Sequence, residues 1–249
     1  MGLTCQSTGP CLLENELKIE RTNPDDKVIA LAGNPNVGKS TVFNSLTGLN
    51  QHTGNWPGKT VTSAYGKYKH KGKNFIAVDI PGTYSLMANS AEEEVARDFI
   101  CFGNTDAIVI ITDATCLERN LNLVIQTLEI TSNVVVCVNL LDEAKRKRIN
   151  INLGELSNQL GIPVVGTSAR SGKGMDELMD AVYNLTGGKI VVKPIKIRYD
   201  DIIEEAIRVL EPHLNVLLEG RLNSRWVALK MLDEDETLLK SIQKYLGYD

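Results

Sequence analysis

Gly33-Asn34-Pro35-Asn36-Val37-Gly38-Lys39-Ser40 has the spacing G-x-x-x-x-G-K-S, which suits a loop that wraps a phosphate chain. The two glycines permit the backbone angles and the close approach that such a loop needs. The Lys39 ammonium would reach the β- and γ-phosphates, and the Ser40 hydroxyl would ligate Mg²⁺. Candidate nucleotide contacts therefore run from Gly33 through Thr41. A second phosphate-sensing element is Asp79-Ile80-Pro81-Gly82. Its Asp79 can hold Mg²⁺ through a water, and its Gly82 N–H can touch the γ-phosphate. Asn139-Leu140-Leu141-Asp142 places a carboxylate where it can accept from the N1–H and 2-amino group of guanine. Adenine offers neither donor. At about 1.5–3 kcal/mol per charge-assisted bond, that difference supports a preference of roughly 10²–10⁴. Asn139 would brace the base edge and the phosphate loop. In Thr167-Ser168-Ala169-Arg170, Ala169 offers an N–H for guanine O6, flanked by Ser168 and Arg170.

These groups can act together only if strands and helices bring them to one edge. Val28–Ala32 is an apolar run that suits a buried parallel strand, and Ser40–Thr47 suits a helix closed by Gly48. Successive N–H groups at a helix start then meet the phosphates. Ala107–Thr112, Val134–Val138 and Pro163–Thr167 suit strands buried on both faces. Val61–Lys69 and Phe75–Asp79 flank Lys71-Gly72 as an antiparallel pair. Helical spacing marks Leu117–Ile130, Glu155–Leu160 and Gly174–Leu185. The alternation predicts an α/β fold, a mostly parallel sheet flanked by helices, with ligands at the strand C-termini.

Residues 1–26 are polar and aperiodic and are expected to form a loose leader. Residues 27–188 would be the nucleotide-binding domain and 189–197 an extended connector. A helical stripe at Ile202, Ile203, Ala206, Ile207 and Leu210 is expected to stop at Pro212. Leu214–Leu218, Trp226–Leu232 and Leu238–Leu246 continue the periodicity, giving a small all-helical domain over 198–249.

The 249 residues carry a net charge of −4, which argues against a nucleic-acid surface, since that would need a basic face. The basic runs Lys67–Lys73 and Lys145–Arg148 fall where a hairpin turn and a helix end would place solvated charge. Five cysteines without a C-x-x-C pair fit a reducing compartment. No apolar run reaches the ~18 residues of a membrane span, and no basic-then-apolar signal opens the chain, so a soluble chain is expected.

The order phosphate loop, D-x-x-G, N-x-x-D, S-A resembles that of the translation-factor-like GTPases. Asn55-Trp56-Pro57-Gly58-Lys59-Thr60 resembles switch I of the FeoB ferrous-iron transport proteins. The G-N-P-N-x-G-K-S loop, the D-x-P-G box and the apolar Leu140 in place of the usual lysine match that family too. The resemblance covers roughly residues 27–249. It implies a GTPase of the P-loop, Ras-like kind followed by a helical spacer domain, binding GTP and GDP. It also implies the cytosolic part of a larger membrane permease for ferrous iron, at the cytoplasmic face of the cell membrane. It extends the nucleotide contacts to Gly58, Lys59 and Thr60, with Thr60 closing over Mg²⁺ and orienting the attacking water. Asn36 lies where an Asn oxygen in such GTPases ligates K⁺, which would stand in for an arginine finger, because Thr83 replaces the usual water-orienting Gln. Asn36, Lys39, Thr60 and Gly82 are thus the candidate catalytic residues. A homo-oligomer is possible, and no nucleic-acid partner is expected. The rival readings are a ribosome-assembly GTPase, which would need a basic appendage, and a sensor that turns over too slowly for hydrolysis to matter. The segment from about Gln51 to Thr62 is expected to lack regular structure until the γ-phosphate orders it.

Overall fold

The computed structural model describes residues 17, 19, 21, 23–48, 51–56 and 61–247. Among these, the strands are β1 (Lys27–Gly33), β2 (Gln51–Asn55), β3 (Thr62–His70), β4 (Lys73–Asp79), β5 (Ala107–Asp113), β6 (Val134–Asn139) and β7 (Val164–Gly166). They form one sheet of order β2-β3-β4-β1-β5-β6-β7. β4, β1, β5, β6 and β7 are parallel, while β2 and β3 add an antiparallel edge. β1, β5 and β6 are near-continuous apolar runs because helices cover both faces.

One face carries α1 (Lys39–Thr47) and α6 (Met175–Thr186), packed on Ile29, Leu31, Val109 and Val135. The other carries α2 (Ala91–Phe102), α3 (Leu117–Ile130) and α5 (Leu153–Leu160). α4 (Leu141–Arg146) is a short turn of helix after β6. The chain then crosses as residues 187–200 to α7 (Asp201–Leu218), α8 (Ser224–Leu232) and α9 (Glu236–Leu246). Ile207, Leu214, Trp226, Leu238 and Ile242 join the same apolar cluster as Ile108, Val95 and Phe99. The C-terminal helices therefore extend the α2/α3 side of the core.

Four features depart from the sequence expectations. α7 runs through Pro212 instead of stopping there. An internal proline costs a helix about 3 kcal/mol, and the stripe Ile207, Leu214 and Leu218, buried on both sides of it, offsets that cost. Gln51–Asn55 is strand, paired with β3 from Gln51↔Gly66 to Asn55↔Thr62, so half of the expected irregular segment is regular. α2 and α4 were not expected. Finally, two described residues of the expected leader are anchored: Leu17 is buried, and Arg21 donates to the carbonyls of Asp26 (3.0 Å) and Asn104 (2.9 Å).

Candidate functional site: a phosphate loop and a base-recognition corner

At the C-terminal edge of β1 the chain turns sharply into α1. Gly38 has φ +85°, and a Cβ there would lie 2.4 Å from the Asn139 Nδ2. A Cβ on Gly33 would lie 2.6 Å from the carbonyl oxygen of Ile111 on β5. Both glycines are therefore required by close approach, and Gly38 also by its left-handed backbone. Asn36 shares that left-handed conformation (φ 67°), and its side chain is exposed. Lys39 and Ser40 open α1, whose first-turn N–H groups lack helical partners and face the loop.

β4 delivers Asp79 to the same place, and the Lys39 ammonium is ion-paired with it. The next turn stays close to the loop: Thr83 donates its N–H to the Gly33 carbonyl (3.2 Å), and Gly82 packs against Pro35. Thr83 is buried and its hydroxyl donates to the Ser85 carbonyl (2.7 Å), so it points into the protein. Asn34 is buried, and neither atom of its amide has a partner. Gly58, Lys59 and Thr60 lie outside the described residues. Trp56 brackets them: its N–H bonds the Val61 carbonyl (2.8 Å), and its ring meets Phe99 of α2 edge-on at 4.9 Å. Its burial against α2 makes it a link between this segment and the helix after the D-x-x-G turn.

The second corner is built on Asn139, 1% exposed at the end of β6. Its Nδ2 donates to the Val37 carbonyl (3.1 Å). Its Oδ1 accepts from the Ala169 N–H (3.1 Å) and the Thr167 hydroxyl (3.0 Å). Asn139 thus joins the phosphate loop to the Thr167–Ala169 turn. The Ala169 N–H, expected to face a base oxygen, donates to Asn139 here. Leu140 takes a left-handed conformation (φ 63°) that turns the chain into α4. There the Asp142 N–H bonds the Ser168 hydroxyl (3.2 Å), and its half-exposed carboxylate meets Arg146 at 3.2 Å. Arg170 is exposed on a single 3-10 turn at Ala169–Ser171. Cys137 lies beneath, its thiol pushed up to about 12 by burial, and contacts the Thr167 hydroxyl at 3.2 Å.

Phosphate-type donors (the loop N–H groups and Lys39) and hard oxygen donors (Ser40, Asp79) therefore stand at one end of this edge. A carboxylate and backbone N–H groups stand at the other. The set fits Mg²⁺, which prefers oxygen ligands from one or two protein groups plus phosphate.

The sequence model of the family described as ferrous iron transport protein B matches residues 27–182, and that of the FeoB cytosolic helical domain matches residues 199–247. Among curated relatives, an Fe(2+) transport protein A/Fe(2+) transporter FeoB fusion protein of Porphyromonas gingivalis is 36% identical over 94% of this chain and 28% of its own length. The Fe(2+) transporter FeoB of Methanocaldococcus jannaschii is 40% identical over 84% of this chain and 31% of its own. The chain thus spans under a third of the length of these relatives. Among solved structures, the cytosolic domain of the T. maritima FeoB iron transporter in apo form superposes with TM-score 0.78 at 35% identity, covering 88% of this chain and 86% of that one. Its GMPPNP form superposes equally well, with the same identity and coverage.

Proposed function

The chain belongs to the FeoB family of ferrous-iron transport proteins, and from that premise we propose that it binds GTP, hydrolyses it and thereby regulates ferrous-iron uptake through a membrane permease portion of the longer protein. One observation carries the nucleotide reading. Asn139 ties the phosphate loop, through Val37, to the Thr167–Ala169 turn, which joins the two elements proposed to receive phosphate and base. The GDP and GMPPNP forms of the T. maritima domain support the same reading.

In this proposal the loop N–H groups and Lys39 neutralise the β- and γ-phosphates. Ser40, Thr60 and, through a water, Asp79 would hold Mg²⁺, with Asp79 released from its Lys39 partner. Held there, the ion would supply charge neutralisation on the phosphate oxygens. Asp142 leaves Arg146 to accept from guanine, and because it is half exposed the rearrangement costs little. Thr83 faces inward and offers nothing to the water. Charge compensation therefore falls to the phosphate loop itself, where the exposed Asn36 oxygen can take a monovalent cation.

Fluorescent GDP and ADP titrations test the base assignment. GDP should bind roughly 10²–10⁴ times more tightly, and Asp142→Asn should remove most of that preference. Equal affinities would end the guanine reading. GTP turnover in potassium against sodium at matched ionic strength tests the cation. Wild type should be faster in potassium, and Asn36→Ala should lose the difference. Indifference of wild type, or a full potassium response in Asn36→Ala, would rule the role out.

A further inference from the structure

The end of the sheet opposite the nucleotide edge has a chemistry that nucleotide binding leaves unused. The turn Lys71-Gly72 joins β3 to β4 there, because β4 runs from Lys73 towards Asp79. α6 ends at the same pole. The ammonium groups of Lys71, Lys73 and Lys189 lie 5.8, 5.5 and 4.6 Å from the centre of one ring, Tyr183 of α6. Among the described residues, the carboxylate paired with this cluster is Asp180, which bonds Lys71 at 2.6 Å and His70 at 2.5 Å. The cluster remains cationic in a chain whose net charge is −4.

From Lys189 the chain crosses beneath the sheet, fastened by the Lys193 N–H to the Gly161 carbonyl and the Ile195 N–H to the Leu160 carbonyl, both 3.0 Å. Along it exposed lysines alternate with exposed aliphatics: Val191 is 86% and Ile195 45% exposed, between Lys189, Lys193 and Lys196. α9 finishes on this side as well, with Tyr245 against Phe102 at the end of α2 (4.9 Å).

We infer that this pole is a docking surface for an anionic lipid bilayer, with the lysines on headgroup phosphates and Val191 and Ile195 at the acyl boundary. The inference rests on the reading above that the longer protein carries a membrane portion. A chain continuing from α9 would leave from the lysine-bearing pole and hold it near the headgroups. Exposed aliphatic groups beside lysines suit a bilayer interface. A single-stranded nucleic acid would need free aromatic faces for stacking, and the ring here is ringed by ammonium groups.

Flotation with phosphatidylcholine vesicles, with and without phosphatidylglycerol, tests it on the intact chain. Binding should require the anionic lipid and weaken with salt. Each lysine near an anionic surface contributes roughly fivefold in partitioning. Lys71→Glu/Lys73→Glu/Lys189→Glu should therefore lose at least about 10²-fold. Val191→Ser/Ile195→Ser should weaken binding more modestly. GDP affinity, measured in the same samples, should be unchanged in every variant and reports the fold. Equal partition to neutral vesicles, wild-type binding by the triple variant, displacement by inorganic phosphate beyond its ionic strength, or RNA binding in place of vesicle binding would each overturn the proposal. Failure of guanine selectivity alone would strike the nucleotide reading and leave this one standing.

Discussion

Asn139 links three segments distant in sequence with one fully buried amide, so its loss is felt at all of them. Asn139→Ala strands the Val37 carbonyl and the Ala169 N–H in a buried site. Each unpaired buried group costs about 1–3 kcal/mol. A loss of about 2–4 kcal/mol in urea-denaturation stability is expected, with a large drop in GDP affinity. A change under about 0.5 kcal/mol would mean that water replaces the amide at little cost. Gly38→Ala should act differently. The added Cβ meets the same Asn139 amide at 2.4 Å on a left-handed backbone, so nucleotide affinity should fall even where the fold survives.

Between elements, the most consequential contact is α2 with α9. Arg97 is fully buried and donates to Asp98 (2.8 and 3.0 Å), the Thr237 hydroxyl (2.6 Å) and the Ser241 hydroxyl (3.0 Å). Ser241 in turn donates to the other oxygen of Asp98 (3.0 Å). Burial raises the Asp98 carboxyl above its ordinary value, with Arg97 opposing the rise. Arg97→Met leaves that carboxylate uncompensated and should cost about 3–5 kcal/mol, whereas Arg97→Met/Asp98→Leu should cost clearly less. The sign with pH follows: a carboxyl raised on folding binds more protons in the native state, so stability falls as pH climbs from its unfolded towards its folded value. Arg97→Met should steepen that fall in urea titrations across the acid range, and an unchanged slope would place Asp98 in contact with water. The same pair explains why α2 was not legible. Arg97 and Asp98 interrupt the stripe of Val95, Ala96, Phe99 and Ile100 with charges that periodicity assigns to solvent. Local propensity alone ends α7 at Pro212, and the tertiary packing of Ile207, Leu214 and Leu218 overrides it. β2 was hidden by its Thr-Gly-Asn composition and is held by pairing with β3. The doubly buried strands and the loops at their ends were legible because each motif sits where a hydrophobic run stops. The lysine-rich pole was visible only as solvated charge, since its convergence on Tyr183 needs α6 and the β3–β4 turn in space.

Across the whole molecule, the question is whether the C-terminal helices stand apart from the sheet or share its stability. Their attachment has a polar rim and an apolar centre. On the rim, the Tyr199 hydroxyl donates to Glu129 of α3 (2.6 Å), while Arg225 of α8 fastens α7 and the connector through Glu204 (2.9 and 2.7 Å) and the Ile197 carbonyl (2.9 Å). Hydrogen bonding from Arg225 lowers the Glu204 carboxyl from 4.5 to about 2. Its stabilising share is therefore present above the unfolded value and lost as pH falls through about 2. Glu204→Gln should flatten acid unfolding in that window. The apolar centre decides cooperativity. The chain has two tryptophans, Trp56 beside the nucleotide edge and Trp226 on α8, and both are buried in one continuous cluster that includes Phe99, Leu123, Ile207 and Leu238. A domain with one core unfolds all-or-none, whereas separately cored units part at different denaturant concentrations. Trp56→Phe leaves a reporter on the helices, and Trp226→Phe leaves one on the sheet. Because either change perturbs the core, each variant is also followed by circular dichroism. Within each variant, fluorescence and circular dichroism should give coincident urea transitions. Loss of the Trp226 signal at clearly lower urea than the loss of overall helicity and strand content would show that the helices detach first, and that the shared cluster is too weak to bind them into one cooperative unit.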